Sequence, residues 1–388
     1  MTASPGSTAA RIQEVCKNIG VENVEIRTES DLDVKPYVHN IYVEWVDVQM
    51  PEDVRRVARL FKESMNSKVE ALKSAGLLPQ HVRPERATVR DLLNVQVLIQ
   101  SRIREASPHP PSALFQAAAV HSAAMKVSHA IEMAETQGIP ALRSYLERLR
   151  EDQSKGAAIL RNDPKFSDAA LIAKQLNIDK VDHPKVERLA GILLDQLGRK
   201  QDSRIIVFSQ YRDTVEMLLS ELAKNAAIRA ARFIGQASRG EENGMTQRKQ
   251  IEAIEKFRAN EFNVLVSTSI GEEGLDIPQV DLVVFYEPVP SEIRTIQRRG
   301  RTGRKRPGRV VVLITKDTRD EAYYWSGRAK ERRMRDELEV LRGEMRRKNI
   351  VRTFKEKEAQ VTQSAASVQQ EAKSEKKGQL TLGEFEHV

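Results

Sequence analysis

The sequence predicts an α/β domain built on a parallel sheet in its C-terminal half, preceded by an all-α domain and by a short α/β remnant. Three observations predict it. From Ser203 onward, short and nearly continuous apolar runs alternate with helical stretches, the pattern of strands buried on both faces of a parallel sheet. From Pro51 to Glu151 apolar residues recur at helical spacing, with breaks at Gly76–Pro79, Pro108–Pro111 and Gly138–Pro140. Before residue 40 only one helix and one strand can be read, too little to make a domain.

Thr2 to Gly6 is a small, turn-prone run. The helix expected over 8–19 and the strand over 24–27 read as the closing elements of an α/β unit. IYVEWVDV then alternates apolar and polar residues, the period of a half-buried strand. Helices are expected over 51–75, 88–104, 112–136 and 139–151, their Met, Leu and Phe stripes facing a core. After Asp163–Pro164–Lys165 a further helix leads to Asp182–His183–Pro184, where Asp182 can cap the next helix and Pro184 can occupy its first turn. His183 has no second His or Cys near it in sequence and reads as structural.

In the α/β domain the strands are RIIVFS (204–209), ARFI (231–234), NVLVS (263–267), LVVFY (282–286) and RVVVLI (309–314). Helices are expected at 212–225, 246–259 and 292–299. A charged helix follows over 322–348. Beyond Phe354 the composition is too polar to order itself, until Leu380, Leu382 and Phe385 restore large apolar side chains.

With 388 residues the chain has room for two or three domains. No apolar run approaches the roughly 20 residues that cross a bilayer, and no secretory signal is visible, so no membrane partner is expected. The single cysteine, Cys16, excludes an internal disulfide framework or a Cys-rich metal site; a cytoplasmic, nucleoid-associated protein is expected. The net charge of +8 is local. Arg298 to Arg352 holds 19 Lys/Arg against 8 Asp/Glu, which points to a polyanion partner, most simply nucleic acid.

The chemistry concentrates in VLVSTSIGEEGLDIP, Val264 to Pro278, and QRRGRTGR, Gln297 to Arg304. A strand ending in Ser267–Thr268–Ser269 sets hydroxyls and backbone N–H groups at the carboxyl edge of the sheet, where α/β domains bind ligands. Gly271 and Gly274 permit close backbone approach, and Asp276 offers a fixed carboxylate to a ribose hydroxyl or an arginine. Arg298, Arg301 and Arg304 lie three apart, so on a helical turn they project to one side. Their planar forks match phosphate oxygens, and a guanidinium delivered to a transferring γ-phosphoryl group stabilises its charge.

These segments resemble motifs of superfamily 2 helicases: STSIGEEGLDIP is similar to motif V, QRRGRTGR to motif VI and IIVFSQYRDT to motif IV. More narrowly, TASPGS resembles motif III of the archaeal Hef and eukaryotic FANCM branch, and the stretch 36–48 with Glu44–Trp45 resembles the lead-in to that branch's helical insertion. The resemblance implies a second RecA-like lobe preceded by the all-α insertion and a remnant of the first lobe. It divides the chain into 1–39 (first-lobe remnant), 40–180 (insertion), 181–345 (second lobe with closing helix) and 346–388 (tail).

By resemblance, Arg301 and Arg304 would contact the phosphates of ATP bound with Mg²⁺ on the first lobe, and Gln297 would sense the γ-phosphate. Gly274, Asp276 and Arg298 would line the nucleotide cleft. Thr268, Ser209 and Gln210 would hold DNA backbone phosphates, and Thr2 and Ser4 would couple hydrolysis to lobe movement. Basic residues of the insertion, including Arg55, Arg56, Arg59 and Lys62, would grip branched or duplex DNA. QLTLGEF resembles the peptide that docks on the PCNA sliding clamp, with Gln379, Leu382 and Phe385 at the required spacing and Glu386 where a second aromatic is usual.

The sequence holds no G-x-x-x-x-G-K-[ST] phosphate loop, and no DEAD or DEAH box precedes Thr2–Ala3–Ser4. Asp320–Glu321–Ala322–Tyr323 imitates that box at the wrong end of the motif order. The expectation is therefore the C-terminal half of an ATP-dependent DNA helicase acting on branched or forked DNA in repair, inactive without a first lobe in cis or in trans. Two other readings stay open: an ATPase-inactive DNA-binding adaptor tethered to the clamp, and an RNA helicase fragment.

Overall fold

The computed structural model describes residues 8–21, 41–178, 183–236, 244–271, 277–303 and 308–344. The chain divides into two compact units, Leu32–Ala329 and, separately, Met1–Asp31 with Lys330–Val388. In the smaller, α1 (Ala9–Asn18) buries Ile12, and the helical residues 330–344 bury Met334.

The larger unit holds a helical bundle and a six-stranded, all-parallel sheet. The strands are β1 (Ile41–Val48), β2 (Ile205–Phe208), β3 (Ala230–Phe233), β4 (Val264–Ser267), β5 (Leu282–Phe285) and β6 (Gly308–Thr315), in the order β1-β6-β5-β2-β4-β3. Every residue of β2, β4 and β5 is buried, which is why their sequences are apolar runs with no alternation.

The strand expected to lead into the bundle instead pairs with β6 along its whole length, from Ile41 opposite Gly308 to Val48 opposite Thr315. Its alternating sequence is that of an edge strand with one wet side, and Arg309 ties it to the sheet through Glu44 at 3.0 Å.

The bundle comprises α2 (Glu52–Ser74), α3 (Val89–Glu105), α4 (Ser112–Glu132), α5 (Ile139–Glu151), α6 (Lys155–Arg161) and α7 (Pro164–Ile178) around its own apolar core. Thr88 and Asp91 form a reciprocal capping box at the start of α3. Two features differ from the sequence reading. α6 is an additional helix, capped by the Ser154 hydroxyl accepting from the Ala157 N–H. α4 ends at Glu132, where a single π turn, Met133–Gln137, carries the chain to Gly138 at φ +105. A Cβ at Gly138 would stand 2.8 Å from that of His183.

The sheet is accompanied by α8 (Pro184–Arg199), α9 (Arg212–Leu222), α10 (Gln247–Arg258) and α11 (Glu292–Arg299). A last helix begins at residue 319. Asp182, expected to cap α8, lies outside the described residues. His183 caps it, Nδ1 accepting from the Lys185 N–H at 3.2 Å, with Pro184 in the first turn. Burial and the Lys185 charge push His183 down to about 3, so it is the neutral ring that accepts. No helix among the described residues is long and apolar enough to cross a membrane.

Candidate functional site

Because the sheet is all parallel, the carboxyl ends of β2, β4 and β5 open on one edge, where Ser209, Gln210 and Thr268 gather, while Arg301 lies beside Val280 ahead of β5. Phe208 of β2 is in register with Ser267 of β4, which sets Ser209 opposite Thr268. The Ser209 N–H donates to the Ser267 carbonyl at 2.9 Å, and the Thr268 N–H to that of Phe233 at 3.1 Å. Both side chains are buried, and the Ser209 hydroxyl makes no hydrogen bond among the described residues. Gln210 is half-buried; its side-chain oxygen accepts from Arg294 at 3.5 Å and its backbone N–H donates to Glu287. At Gly271 a Cβ would lie 2.5 Å from the Ser267 hydroxyl and 3.0 Å from the Phe208 ring, so the loop after β4 needs glycine for close approach.

α11 starts at Ser291, whose hydroxyl accepts from the Arg294 N–H, and it stops at Gly300. Arg298 and Arg301 therefore do not share one helical face. Arg298, in the last turn, points into the core and is fully buried. Its guanidinium carbon lies 4.9 Å from the centre of the Phe208 ring and 5.4 Å from that of Phe285. The helical period turns residue 298 inward, while the helix ends before 301.

Arg301 lies beyond the helix, largely buried, and its backbone is pinned at both ends. Its N–H donates to the Arg298 carbonyl at 3.3 Å, and its carbonyl accepts from the Val280 N–H at 3.2 Å. The neighbouring Thr302 hydroxyl donates to the Val280 carbonyl at 2.7 Å, and Gly303 follows at φ +78. Gln297 is half-buried on α11. Gly274, Asp276, Arg304, Thr2, Ser4, Gln379, Leu382 and Phe385 lie outside the described residues.

Sequence reasoning missed a buried polar set behind this edge. Glu287, just past β5, is fully buried; it accepts the Gln210 N–H and faces the charges of Arg298 and Lys185. Burial pushes its carboxyl up to about 7, against the pull of Arg298 and Lys185. Lys185 and Asp320 form a wholly buried ion pair. The Lys185 ammonium also donates to the Thr136 carbonyl in the π turn at 3.2 Å and lies 5.3 Å from the centre of the Tyr286 ring. Asp320, the false DEAD-like residue, is thus a structural anion. Nothing in a period or a motif marks these three residues, because charged side chains default to solvent.

On the bundle, Arg55, Arg56, Arg59 and Lys62 are exposed on α2. Arg55 and Arg59 share Glu52, at 3.6 and 3.3 Å, and Lys62 pairs with Glu135 at 2.6 Å. Among the described residues no group of three His, Cys, Asp or Glu side chains could hold a metal ion.

Two family models match the chain, the helicase conserved C-terminal domain over residues 184–306 and an ATP-dependent RNA helicase helical bundle over residues 53–180. A relative from Methanocaldococcus jannaschii, whose name assigns it to the ATP-dependent RNA helicases, is 40% identical over 335 residues, covering 86% of this chain and 41% of the relative. The ATP-dependent DNA helicase Mph1 of Pyricularia oryzae is 34% identical over 345 residues, covering 83% of this chain and 30% of its own length. The chain thus spans well under half of these relatives. The crystal structure of the Pyrococcus furiosus Hef helicase domain is similar with a TM-score of 0.66 at 44% identity, covering 84% of this chain and 66% of that one. The motifs at the sheet edge, the bundle inserted before them and these likenesses agree: the chain belongs to the Hef, FANCM and Mph1 branch of the superfamily 2 helicases and represents the C-terminal part of their helicase region.

Proposed function

We propose that this chain is the C-terminal half of an ATP-driven DNA translocase that remodels branched or forked DNA in repair. The observation that carries the reading is the loop of Arg301, pinned by its backbone to Arg298 and to Val280 ahead of β5, with Ser209, Gln210 and Thr268 at the carboxyl ends of β2 and β4. An arginine held by its backbone at both ends pays little reorganisation when a γ-phosphoryl group arrives from a facing lobe. Arg301 and Arg304 would meet ATP held by the first lobe, with Gln297 beside them, while Gly274 and Asp276 line the cleft. Arg298 supports this loop from within. The Mg²⁺ ligands belong to the first lobe.

Function divides along segments 1–39, 40–180, 181–345 and 346–388, with the strand at 41–48 contributed to the sheet of the second lobe. Ser209, Gln210 and Thr268 would contact DNA backbone phosphates, which carry no base information, so binding is sequence-independent and salt-sensitive. Thr2 and Ser4 would pass hydrolysis on to lobe movement.

The test is ATP hydrolysis with and without DNA. The chain alone is expected to hydrolyse ATP negligibly. Fused to a first lobe from a close relative it should show DNA-stimulated turnover, which Arg301→Ala lowers roughly 10³-fold or more. A DNA-stimulated rate of ordinary helicase size from the chain alone would sink the half-site reading. The name of the M. jannaschii relative favours RNA as a second reading, and stimulation by RNA but not DNA in the same fusion would select it. The clamp-docking role of Gln379, Leu382 and Phe385 is part of the proposal: Phe385→Ala should abolish pull-down by PCNA, and an unchanged pull-down would discard it.

A further inference from the structure

A groove of about 590 Å³ opens on the bundle between α5, α6 and α7, away from the sheet edge. Leu146, Leu149, Leu160 and Phe166 supply its apolar lining. Its polar lining is one-sided: Arg143, Arg150, Arg161 and Lys174 stand against the single acid Glu147. Glu147 is already matched by Arg143 at 2.7 Å, and Arg161 donates to the Asp152 carbonyl. Among the described residues Arg150 and Lys174 make no ion pair.

α7 gives a second, independent sign. One side buries Phe166, Ala169, Ala173 and Leu176 in the bundle core. The opposite side is mixed, with Leu171 and Ile178 exposed among Ser167, Asp168, Lys174 and Gln175. Ser167, Leu171, Lys174 and Ile178 follow one another at steps of four, three and four residues and form one stripe, about 16 Å long at the helical rise. Leu171 is 68% exposed and Ile178 59% exposed, while Ser167 and Lys174 line the groove. Two exposed aliphatic side chains, two turns apart on this stripe, therefore flank an apolar groove with a cationic rim.

We propose that this groove and stripe dock an amphipathic helix of a partner protein, aliphatic on one face and acidic on its flanks. The occupant follows from charge and shape. A nucleic-acid backbone would satisfy Arg150 and Lys174 but leave Leu171 and Ile178 in water, whereas a helix with an aliphatic stripe covers both and sets carboxylates on the cations. This site is separate from the nucleotide edge and does not depend on the reading given there.

The test is selection of a phage-displayed library of helical peptides on the full chain, followed by fluorescence anisotropy of an enriched peptide. Selection should enrich aliphatic residues at i, i+4 and i+7 flanked by Asp or Glu. Leu171→Asp and Lys174→Glu, both on an exposed helix face, should each weaken the peptide at least 10-fold while the circular dichroism spectrum stays unchanged. A peptide with its acids changed to lysine should bind the Arg150→Glu, Lys174→Glu chain better than the natural one. Absence of that enrichment, or peptide binding untouched by Leu171→Asp, overturns the proposal. So does duplex DNA binding that Lys174→Glu weakens while no acidic peptide binds, or self-association of the chain that Leu171→Asp abolishes.

Discussion

Two buried titratable groups in contact with Lys185 pull stability in opposite directions with pH. Glu287 has its pKa raised to about 7, above the ordinary carboxylate value, so the folded state holds its proton more tightly than the unfolded chain does. Its stabilising effect is present at low pH and is lost as pH rises through about 7, an effect on the order of 3 kcal/mol. His183 is the reverse: lowered to about 3, it favours folding while neutral, and that contribution is lost as pH falls from about 6.5 toward 3. Between about pH 4.5 and 7 the two contributions change together and oppose each other, so a variant is needed to isolate Glu287. Glu287→Gln, which keeps an acceptor for the Gln210 N–H but does not titrate, should remove the falling component, so that the melting temperature rises more steeply from about pH 4.5 to 7 than in the wild type. Equal slopes in the two proteins would remove Glu287 as the cause.

The elements show what could be read from the sequence and what could not. β2, β4 and β5 were legible because burial on both faces forces unbroken apolar runs, and α2 to α5 because Gly–Pro breaks punctuate them. β1 was legible as a strand but not as a member of this sheet, since its partner β6 begins some 260 residues later and a period says nothing of pairing. α6 escaped because seven residues are too few for a period to emerge, although Ser154 ahead of Lys155–Gly156–Ala157 is a cap signal. At the candidate site the strand ends that carry Ser209 and Thr268 were legible; the inward turn of Arg298 was not. Spacing of three suggested a shared face only while the helix continued, and Gly300 ends it between Arg298 and Arg301.

At the scale of the larger unit, two apolar cores, one in the bundle and one in the sheet, meet through polar contacts. Lys185 of α8 reaches the π turn at Thr136, Thr214 of α9 donates to Gln137 at 2.7 Å, and the Arg319 N–H donates to Glu135 at 3.1 Å. Arg148 of α5 pairs with Asp213 of α9 at 2.6 Å on the more exposed side. Polar contacts depend on geometry in a way that apolar packing does not, and Lys185, which ties α8 to the π turn, also acts by its charge on the buried Glu287. Its keystone is the Lys185–Asp320 pair. Lys185→Met leaves Asp320 buried without its cation and is expected to cost about 3–5 kcal/mol. It also removes the tie to Thr136, so the single calorimetric transition expected of the wild-type unit should separate into two as the bundle and sheet lose their coupling. Adding Asp320→Leu removes the stranded charge and should restore most of the stability, but not the single transition, because the tie to Thr136 stays broken. A Lys185→Met protein that melts as one transition within about 1 °C of wild type would show that the two cores are coupled by other contacts.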